Sequence, residues 1–246
     1  MDRWKYFDIT HRDHVICNPI SSAKLDEMVA LLDLPRGAQV LDLGCGKAEF
    51  LVRLVDHYDA VATGVDQSPY VIREAREKVR HRVPNADVTL IEQDGAAFQG
   101  TLGSFDLTAC LGASWIFGGY RGTLAALAEL TRPGGQVLVG EPFLIGSPPA
   151  AYCDESGFSP QTFGTHVENV QSGVDLGLTP LYALVSSQDD FDRYEALQWR
   201  AAERWARAHP DDPDRVEVLS RTARYRDLYL RWGREHLGWS LYLFMK

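Results

Sequence analysis

Short apolar runs alternate with longer amphipathic stretches through the middle of the chain, and this alternation limits the folds open to it. Apolar residues recur at helical spacing between the runs. Strands that are joined through helices run parallel, and a nearly continuous apolar run fits a strand buried on both faces. The pattern therefore predicts an α/β fold with a doubly wound, mostly parallel sheet. Its first five predicted strands are Gln39–Leu43, Ala60–Val65, Asp87–Glu92, Phe105–Leu111 and Gln136–Gly140.

The flanking regions have other patterns. Residues 1–37 look mostly helical and form a predicted N-terminal cap, whereas Gly146–Gly164 is rich in Gly, Ser and Pro, as in a surface loop or lid. No repeat or low-complexity linker interrupts the chain, so we expect a single domain over 1–246, with its core at 38–143 and the remainder at 144–246. The remaining predicted elements are a helix near Thr165–Gly177, a strand near Leu181–Ser186, helices at Phe191–Ala208 and Pro213–Glu235, and a last strand at Gly238–Met245.

Composition excludes several classes of protein. The 246 residues carry 25 Lys and Arg against 34 Asp and Glu, a net charge of −9, which disfavours nucleic acid and anionic membranes as partners. The four cysteines are far apart and form no Cys-x-x-Cys pair, so neither a zinc site nor a disulfide scaffold is expected. No apolar run approaches the roughly 18–20 residues of a membrane helix, and no secretory signal begins the chain. We expect a cytoplasmic protein.

A glycine-containing turn follows the first predicted strand, and acids follow the first three. Asp42 ends strand one just before Gly44-Cys45-Gly46, Asp66 ends strand two, and Asp94 follows strand three beside Gly95. Because the carboxyl ends of parallel strands lie along one sheet edge, these acids converge on one crevice. Asp66 can accept both hydroxyls of a ribose there, and Asp94 can hold the amine of an adenine.

An NAD(P) site is the competing interpretation. Its Gly-x-Gly-x-x-Gly/Ala pattern would use Gly44, Gly46 and then Glu49. The bulky acid fits poorly against the strand and places negative charge where a pyrophosphate would bind. A ligand without phosphates, carrying an adenosine and a cationic centre, suits this loop better.

Four blocks in this order resemble the class I S-adenosylmethionine-dependent methyltransferases, most of all the branch that acts on small molecules. They are Val40–Gly46, Gly64–Ser68, Gln93–Gly95 and Arg132–Gly135, and Ala48 stands where the family often has a third glycine. The resemblance implies a Rossmann-like seven-stranded sheet with an antiparallel last strand. The helices of residues 191–235 would then be an insertion before that strand.

The resemblance also implies roles for individual residues. The glycine loop would face the methionine part of the cofactor with Asp42 near its ammonium group, and the backbone at the end of strand four would lie nearest the sulfonium. The cofactor-binding residues expected on this basis are Asp42, Gly44, Cys45, Gly46, Asp66, Gln67, Ser68, Asp94, Gly95, Cys110, Leu111 and Gly112.

The end of strand four favours a small-molecule acceptor. Cys110-Leu111-Gly112-Ala113-Ser114 stands where enzymes acting on nucleic-acid amines resemble one another in an Asn/Asp-Pro-Pro-aromatic turn, and Cys110 lacks the preceding proline of cytosine-C5 enzymes. Glu141 continues the strand-end acids and either orients or deprotonates the acceptor or only caps its strand. The remaining candidates for the acceptor pocket are Tyr6, His11, His14, Trp115, Phe117, Tyr120 and Phe143.

The predicted activity is transfer of a methyl group from S-adenosylmethionine to an oxygen, nitrogen or sulfur nucleophile by in-line displacement. Two alternatives remain at this point, an NAD(P)-dependent oxidoreductase and a catalytically silent, cofactor-binding regulatory subunit. The run His11-Arg12-Asp13-His14 is interpreted as a solvated lid, and no metal is expected. Trp199, Trp205 and Trp232 are interpreted as core residues.

Overall fold

A seven-stranded sheet forms the centre of the computed structural model, which describes residues 1–158 and 162–246. In those residues the order across the sheet is 3-2-1-4-5-7-6. The first five strands pair in parallel, and the seventh is antiparallel to both of its neighbours. The strands are β1 (Gln39–Leu43), β2 (Val61–Asp66), β3 (Val88–Glu92), β4 (Phe105–Leu111), β5 (Thr131–Leu144), β6 (Thr179–Val185) and β7 (Leu237–Met245).

Helices connect the strands and cover both faces of the sheet. A π-helical turn at Tyr229–Gly233 joins the last two, and short 3₁₀ turns lie at Gly95–Ala97 and Ser114–Phe117. The helices are α1 (Arg3–His11), α2 (Ser22–Leu31), α3 (Glu49–Tyr58), α4 (Pro69–Arg82), α5 (Tyr120–Leu130), α6 (Ala150–Ser156), α7 (His166–Asp175), α8 (Gln188–Ala208), α9 (Arg215–Leu228) and α10 (Arg234–His236).

Two apolar layers hold the helices on the sheet, and a third cluster lies outside it. One face of the sheet packs against α2, α3 and α4, and the other against α5 and α7. Completely buried side chains such as Leu51 and Leu124 each stabilise these layers by roughly 1.5–3 kcal/mol. The third cluster joins α1 to α8 and α9 through Ile9, Ala202 and Val218. The N-terminal helix therefore packs on the helices between β6 and β7 and not on the sheet.

The predicted fold class is confirmed, including the helical cap and the helices inserted before the last strand. The predicted bounds of β1 to β4 nearly coincide with those observed, but β5 is much longer than predicted. The turn expected at Arg132–Gly135 is an irregularity within β5. Thr131 pairs with Phe105, the register then shifts, and pairing resumes at Gln136. Gly134 allows this because its φ is +73°.

Two predictions outside the core were wrong in detail. The loop expected over Gly146–Gly164 contains α6, whose Tyr152 is buried, while Ser159, Pro160 and Gln161 of that segment lie outside the described residues. The single helix expected over Pro213–Glu235 is α9, the π-helical turn and α10 in succession. Such π turns occur often at functional sites, and this one carries Tyr229 to the edge of the cavity described below.

Candidate active site

A cavity of about 510 Å³ lies between the carboxyl ends of the parallel strands and the inserted helices. Its volume is typical of small-molecule sites, which span roughly 300–1,000 Å³. The cavity has two differently composed halves, which we call the donor half and the acceptor half. The donor half is lined by Asp42, Gly44, Cys45, Gly46, Asp66, Gln67, Ser68, Gly95, Leu111, Gly112, Trp115 and Ile116. The acceptor half is lined by Trp4, Phe7, Pro142, Tyr152, Phe158, Phe191, Tyr194, Glu195, Gln198, Tyr225, Leu228, Tyr229, Leu237 and Trp239.

The glycine loop after β1 is fixed to the end of β2 by its backbone. The N–H groups of Gly44 and Cys45 donate to the carbonyl of Val65 at 2.7 and 3.0 Å. Gly44 has a φ of +80°, and a Cβ on it would lie 2.6 Å from the Cβ of Ala113. Gly46 has a φ of +51°, with open space where its Cβ would lie. Glycine at these positions lets the backbone itself form the cavity wall.

Asp66 holds this loop in place and still has hydrogen-bonding capacity to spare. Its Oδ2 accepts from the N–H of Gly46 at 3.0 Å and its Oδ1 from the N–H of Ser68 at 2.9 Å. Burial raises the pKa of Asp66, although these backbone bonds act in the opposite direction. Each carboxylate oxygen has a second lone pair, so Asp66 can accept two further hydrogen bonds from a ligand.

Asp42 is a buried acid without a complete set of partners. Its side chain lines the cavity and is 2% exposed, and its Oδ1 has no hydrogen-bond partner. Burial, with a contribution from the charge of Asp66, raises its pKa to about 8. A buried, unpaired carboxylate is costly to ionise, so a ligand that brings a positive charge would relieve this cost.

The segment at residues 15–19, which we call the strap, covers the donor half. Val15, Ile16, Cys17, Asn18 and Pro19 all line the cavity. The Asn18 side chain lies so close to the Cα of Gly112 that any Cβ there would collide with it. The chain just before the strap is fastened by Lys47, whose Nζ donates to the carbonyl of His11 at 2.9 Å and pairs with Glu74 at 2.8 Å.

One face of α8 forms much of the acceptor half. Phe191, Tyr194, Glu195 and Gln198 all line the cavity, at the i, i+3, i+4 and i+7 positions that share a helix face. In the part of the chain that the structure describes, Glu195 makes no hydrogen bond or ion pair. Burial alone raises its pKa to about 7. Tyr152 and Tyr229 line the acceptor half together with Glu195. Burial raises the pKa of both tyrosines, and the charge of Glu195 adds to this effect.

The structure brings together many of the predicted site residues and leaves others outside the cavity. The predicted residues that line it are Asp42, Gly44, Cys45, Gly46, Asp66, Gln67, Ser68, Gly95, Leu111, Gly112 and Trp115. Those that are not among its lining residues are Asp94, Cys110, Glu141, Tyr6, His11, His14, Phe117, Tyr120 and Phe143.

Three of these displaced residues serve local structure. Asp94 is exposed, and its carboxylate caps the 3₁₀ turn by accepting from the N–H of Ala96 at 3.0 Å. Its contact with an adenine amine stays a prediction. Cys110 is completely buried against α5, and Phe117 packs in the same apolar cluster. The Cys110 side chain points away from the cavity because neighbouring residues in a strand face opposite sides of the sheet, and its neighbour Leu111 lines the cavity.

Glu141 also faces away from the cavity because of the alternation of side chains along its strand. Its neighbour Pro142 faces the cavity, whereas Glu141 is buried on the opposite face with Tyr120 and Tyr242. Burial raises the pKa of Glu141 to about 7, and a hydrogen bond with Ser114 acts in the opposite direction. Neither Glu141 nor Tyr120 lines the cavity in this structure, and a role for either toward an acceptor stays a prediction that this geometry does not favour.

The other predicted acceptor-pocket residues lie behind the side chains that line the cavity. Tyr6 is buried under α9, with its hydroxyl 3.2 Å from that of Thr222. His11 and His14 both contact Tyr194, through its hydroxyl at 2.8 Å and its carbonyl at 2.9 Å. Burial lowers the pKa of both histidines. Phe143 packs against His166 instead of the cavity.

The cavity also contains residues that the sequence argument missed. They are the strap, the α8 face, and the aromatic residues at Trp4, Tyr152, Tyr225 and Trp239. The sequence signal for the α8 face is an acid, Glu195, at helical spacing from the aromatic residues Phe191 and Tyr194. Trp199, Trp205 and Trp232 do not line this cavity, and Trp205 is buried in the α1–α8–α9 cluster.

Two further features of the described residues bear on the class of protein. In the ranges 1–158 and 162–246, no helix is both long enough and apolar enough to span a membrane. In the same ranges, no three His, Cys, Asp or Glu side chains form a group suited to a metal ion. A doubly wound sheet with a glycine loop and acids at its strand ends defines the Rossmann-like class of nucleoside-binding proteins.

Comparison with known proteins identifies the family. A family model described as a methyltransferase domain matches residues 40–135. A SAM-dependent methyltransferase from Geobacter sulfurreducens, solved in complex with S-adenosyl-L-homocysteine, is 34% identical with a TM-score of 0.92, over 98% of this chain and 97% of that one. The uncharacterized protein YjhP of Escherichia coli is 31% identical over 98% of both chains. A 27-O-demethylrifamycin SV methyltransferase from Amycolatopsis mediterranei is 24% identical over 73% of this chain and 66% of its own.

The chain belongs to the class I S-adenosylmethionine-dependent methyltransferases. The resemblance predicted from the sequence is thereby confirmed, together with the enzyme class and its cofactor. Neither the oxidoreductase nor the silent subunit is favoured. The residues of the donor half fit this cofactor, because Asp42 has an unpartnered buried oxygen for a cationic group and Asp66 has free acceptor capacity for hydroxyls.

Proposed function

We propose that this enzyme methylates a small molecule, at an oxygen, nitrogen or sulfur atom, in the acceptor half of the cavity. The observation that carries the proposal is the continuity of the cavity. A polar donor half with unpaired acids opens directly into an aromatic acceptor half within about 510 Å³. Two reactants bound in such halves lie next to each other, and a space of this size suits a small acceptor.

In the donor half, Asp42 would hold the ammonium group of the methionine part, and Asp66 the ribose hydroxyls. Leu111 and Gly112 would provide the wall nearest the sulfonium, and the backbone of Gly44–Gly46 would face the methionine part. When bound, S-adenosylmethionine supplies an activated methyl group on a positively charged sulfur. The strap and the inserted helices would exclude water from the reacting atoms.

The protein contributes mainly by positioning. An activated leaving group requires little acid catalysis, so holding the acceptor in line with the methyl group supplies most of the acceleration, roughly 7–11 kcal/mol for well-oriented reactants. The aromatic walls of the acceptor half bind and orient the acceptor, while Glu195 is the acidic group available to an acceptor atom.

Other features support the choice of a small molecule and of the cytoplasm. The strap and α8 both line the cavity, whose volume of about 510 Å³ suits a small molecule better than a nucleic-acid duplex. The rifamycin methyltransferase to which the chain is similar is named for a small-molecule substrate. All four cysteines are free and the net charge is −9, in keeping with a reducing compartment and with little attraction for nucleic acid.

The donor half is tested by titrating the purified chain with S-adenosylmethionine in a calorimeter. Asp66→Ala should weaken binding by about tenfold or more, since hydrogen bonds to a charged group contribute roughly 1.5–3 kcal/mol. Asp87→Ala is the matched control, because Asp87 is an exposed acid at the opposite end of β3. A methyl-transfer assay against a small-molecule library then identifies the acceptor. A native chain that does not bind S-adenosylmethionine, or an Asp66→Ala variant with unchanged affinity, would contradict the proposal.

A further inference from the structure

The charged residues that line the cavity leave one group without a partner or an assigned ligand. Lys47 is paired with Glu74. Glu49 is held by three cations, Arg53, Lys78 and Arg82, at 2.8–3.0 Å. Asp42 and Asp66 lie in the donor half. Glu195 remains, and it lies in the acceptor half.

The surroundings of Glu195 are aromatic and contain no cation bonded to it. Tyr152, Tyr194 and Tyr229 line the acceptor half with it. Burial raises the pKa of these tyrosines and of Tyr6, and the negative charge of Glu195 adds to this effect. Two kinds of basic side chain lie beside these rings in the described residues: the guanidinium of Arg221 is 4.0 Å from the ring centre of Tyr6, and His11 contacts the hydroxyl of Tyr194. Arg221 makes no ion pair with Glu195.

Building on the proposed function, we propose that the acceptor is an amine, bound with its nitrogen beside the Glu195 carboxylate and between aromatic rings. Aromatic faces attract organic cations, and an adjacent carboxylate adds charge complementarity. The same carboxylate repels carboxylate and phosphate acceptors, and no Lys or Arg is among the described residues that line the acceptor half.

Methylation of an amine would create a positive charge on the nitrogen beside Glu195. The lone pair of the amine nitrogen forms the new nitrogen–carbon bond, while the carbon–sulfur bond breaks and its electron pair stays on sulfur. The positive charge thus passes from sulfur to nitrogen. Glu195 stabilises this charge where it develops, which lowers the barrier more than equal stabilisation of the bound reactants would. With a primary or secondary amine, the surplus proton passes from nitrogen to the Glu195 carboxylate and then to water.

The test compares an organic cation with its uncharged isostere. The full chain is saturated with S-adenosylhomocysteine at pH 8, and quenching of the cavity tryptophans is titrated with phenyltrimethylammonium, tert-butylbenzene and benzoate. We expect the cation to bind about tenfold more tightly than the neutral isostere, and benzoate to bind most weakly. Glu195→Gln should remove this preference. Glu203→Gln, an exposed acid on the same helix, should retain it.

Four outcomes of this titration would contradict the proposal. Equal binding of the cation and its isostere, a preference for benzoate, unaltered preference in Glu195→Gln, or no binding of any probe would overturn the amine assignment. Melting temperature and S-adenosylhomocysteine affinity of each variant show that it is folded with an intact donor half. Loss of S-adenosylhomocysteine binding by the native chain would instead mean that the proposed function itself fails, so the two failures are distinguishable.

Discussion

Two aspartates at adjacent strand ends show how partners, and not residue type, set the chemistry of a side chain. Both carboxylates line the donor half, and burial raises the pKa of each. Asp66 receives two backbone N–H bonds, whereas one oxygen of Asp42 receives none. The first acid stabilises the loop before any ligand arrives. The second is costly to bury until a ligand compensates its charge.

This difference predicts that Asp42→Asn stabilises the ligand-free protein. Because the pKa of Asp42 is raised from 3.8 to about 8 on folding, its protonated form favours the folded state. This contribution is complete below pH 3.8 and is lost as the pH rises through about 8. The asparagine does not titrate, so its stability relative to the native protein should increase by on the order of 4 kcal/mol between pH 5 and pH 8. Urea denaturation at both pH values measures it. A variant less stable than the native protein at pH 8 would contradict the explanation, and Asp87→Asn controls for net charge.

Gly112 gives a second prediction at this scale. Its φ of +79° costs other residues roughly 1–2 kcal/mol, and an added Cβ would also collide with Asn18 in the strap. Gly112→Ala should therefore lose more stability than Gly103→Ala, where φ is +64° and the space around a Cβ is open. In the double variant with Asn18→Ala, the stability lost through the collision should return, while the loss caused by the positive φ should remain. Equal losses at positions 112 and 103 in thermal denaturation would show that the strap does not press on β4.

At the scale of elements, the alternation of apolar and amphipathic segments was enough to predict the sheet, because the core strands are apolar along their length. It was not enough for the direction of each side chain. Both faces of a doubly wound sheet are apolar, so nothing in the sequence distinguishes the face that Glu141 occupies from the face of Pro142. The same ambiguity applies to α8, where aromatic residues facing a cavity have the same spacing as aromatic residues facing a core.

The position of α8 depends on its first turn. Ser187 accepts from the N–H of Asp190 at 3.2 Å, Asp190 accepts from the N–H of Ser187 at 2.8 Å, and Lys24 of α2 pairs with Asp190 at 2.8 Å. Ser187→Ala should cost about 1 kcal/mol of stability, as loss of a capping side chain usually does.

The matching capping box of α7 provides the comparison. Thr165→Ala should lose a similar amount of stability, but α7 does not line the cavity. Hydrogen exchange should therefore quicken in the first turn of α8 in Ser187→Ala, and phenyltrimethylammonium should bind more weakly to that variant alone. Equal effects of both substitutions on binding of this probe would mean that α8 is positioned by other contacts.

At the scale of the whole molecule, the cavity joins parts of the chain that are far apart in sequence. The donor half comes from the ends of β1, β2, β3 and β4, and the sequence predicted most of it. The acceptor half comes from Trp4, α6, α8, the π-helical turn and β7. Its assembly depends on how α1 packs on α8 and α9, and long-range packing of this kind leaves no local pattern in the sequence.

Because the strap covers the donor half, a ligand there should order distant segments. S-adenosylhomocysteine at about 100 times its dissociation constant should stabilise the native chain by ~2.7 kcal/mol. Hydrogen exchange should slow at residues 15–19 as well as at the glycine loop. Asp66→Ala, whose affinity is expected to be at least tenfold lower, should at the same ligand concentration be stabilised by no more than ~1.4 kcal/mol and show weaker protection. Protection confined to the glycine loop of the native chain would indicate that the strap takes no part in binding.

The position of β7 has a consequence for how the protein is made. It is the last strand in the sequence, yet it lies between β5 and β6 and pairs with both along most of its length. While a ribosome is still translating, β6 has emerged without a neighbour to pair with, and Trp239 is absent from the wall of the cavity. A nascent chain can therefore form the donor half of the cavity before it can form the acceptor half. A premature stop within β7 would leave the edges of β5 and β6 unpaired and exposed, and exposed strand edges favour aggregation.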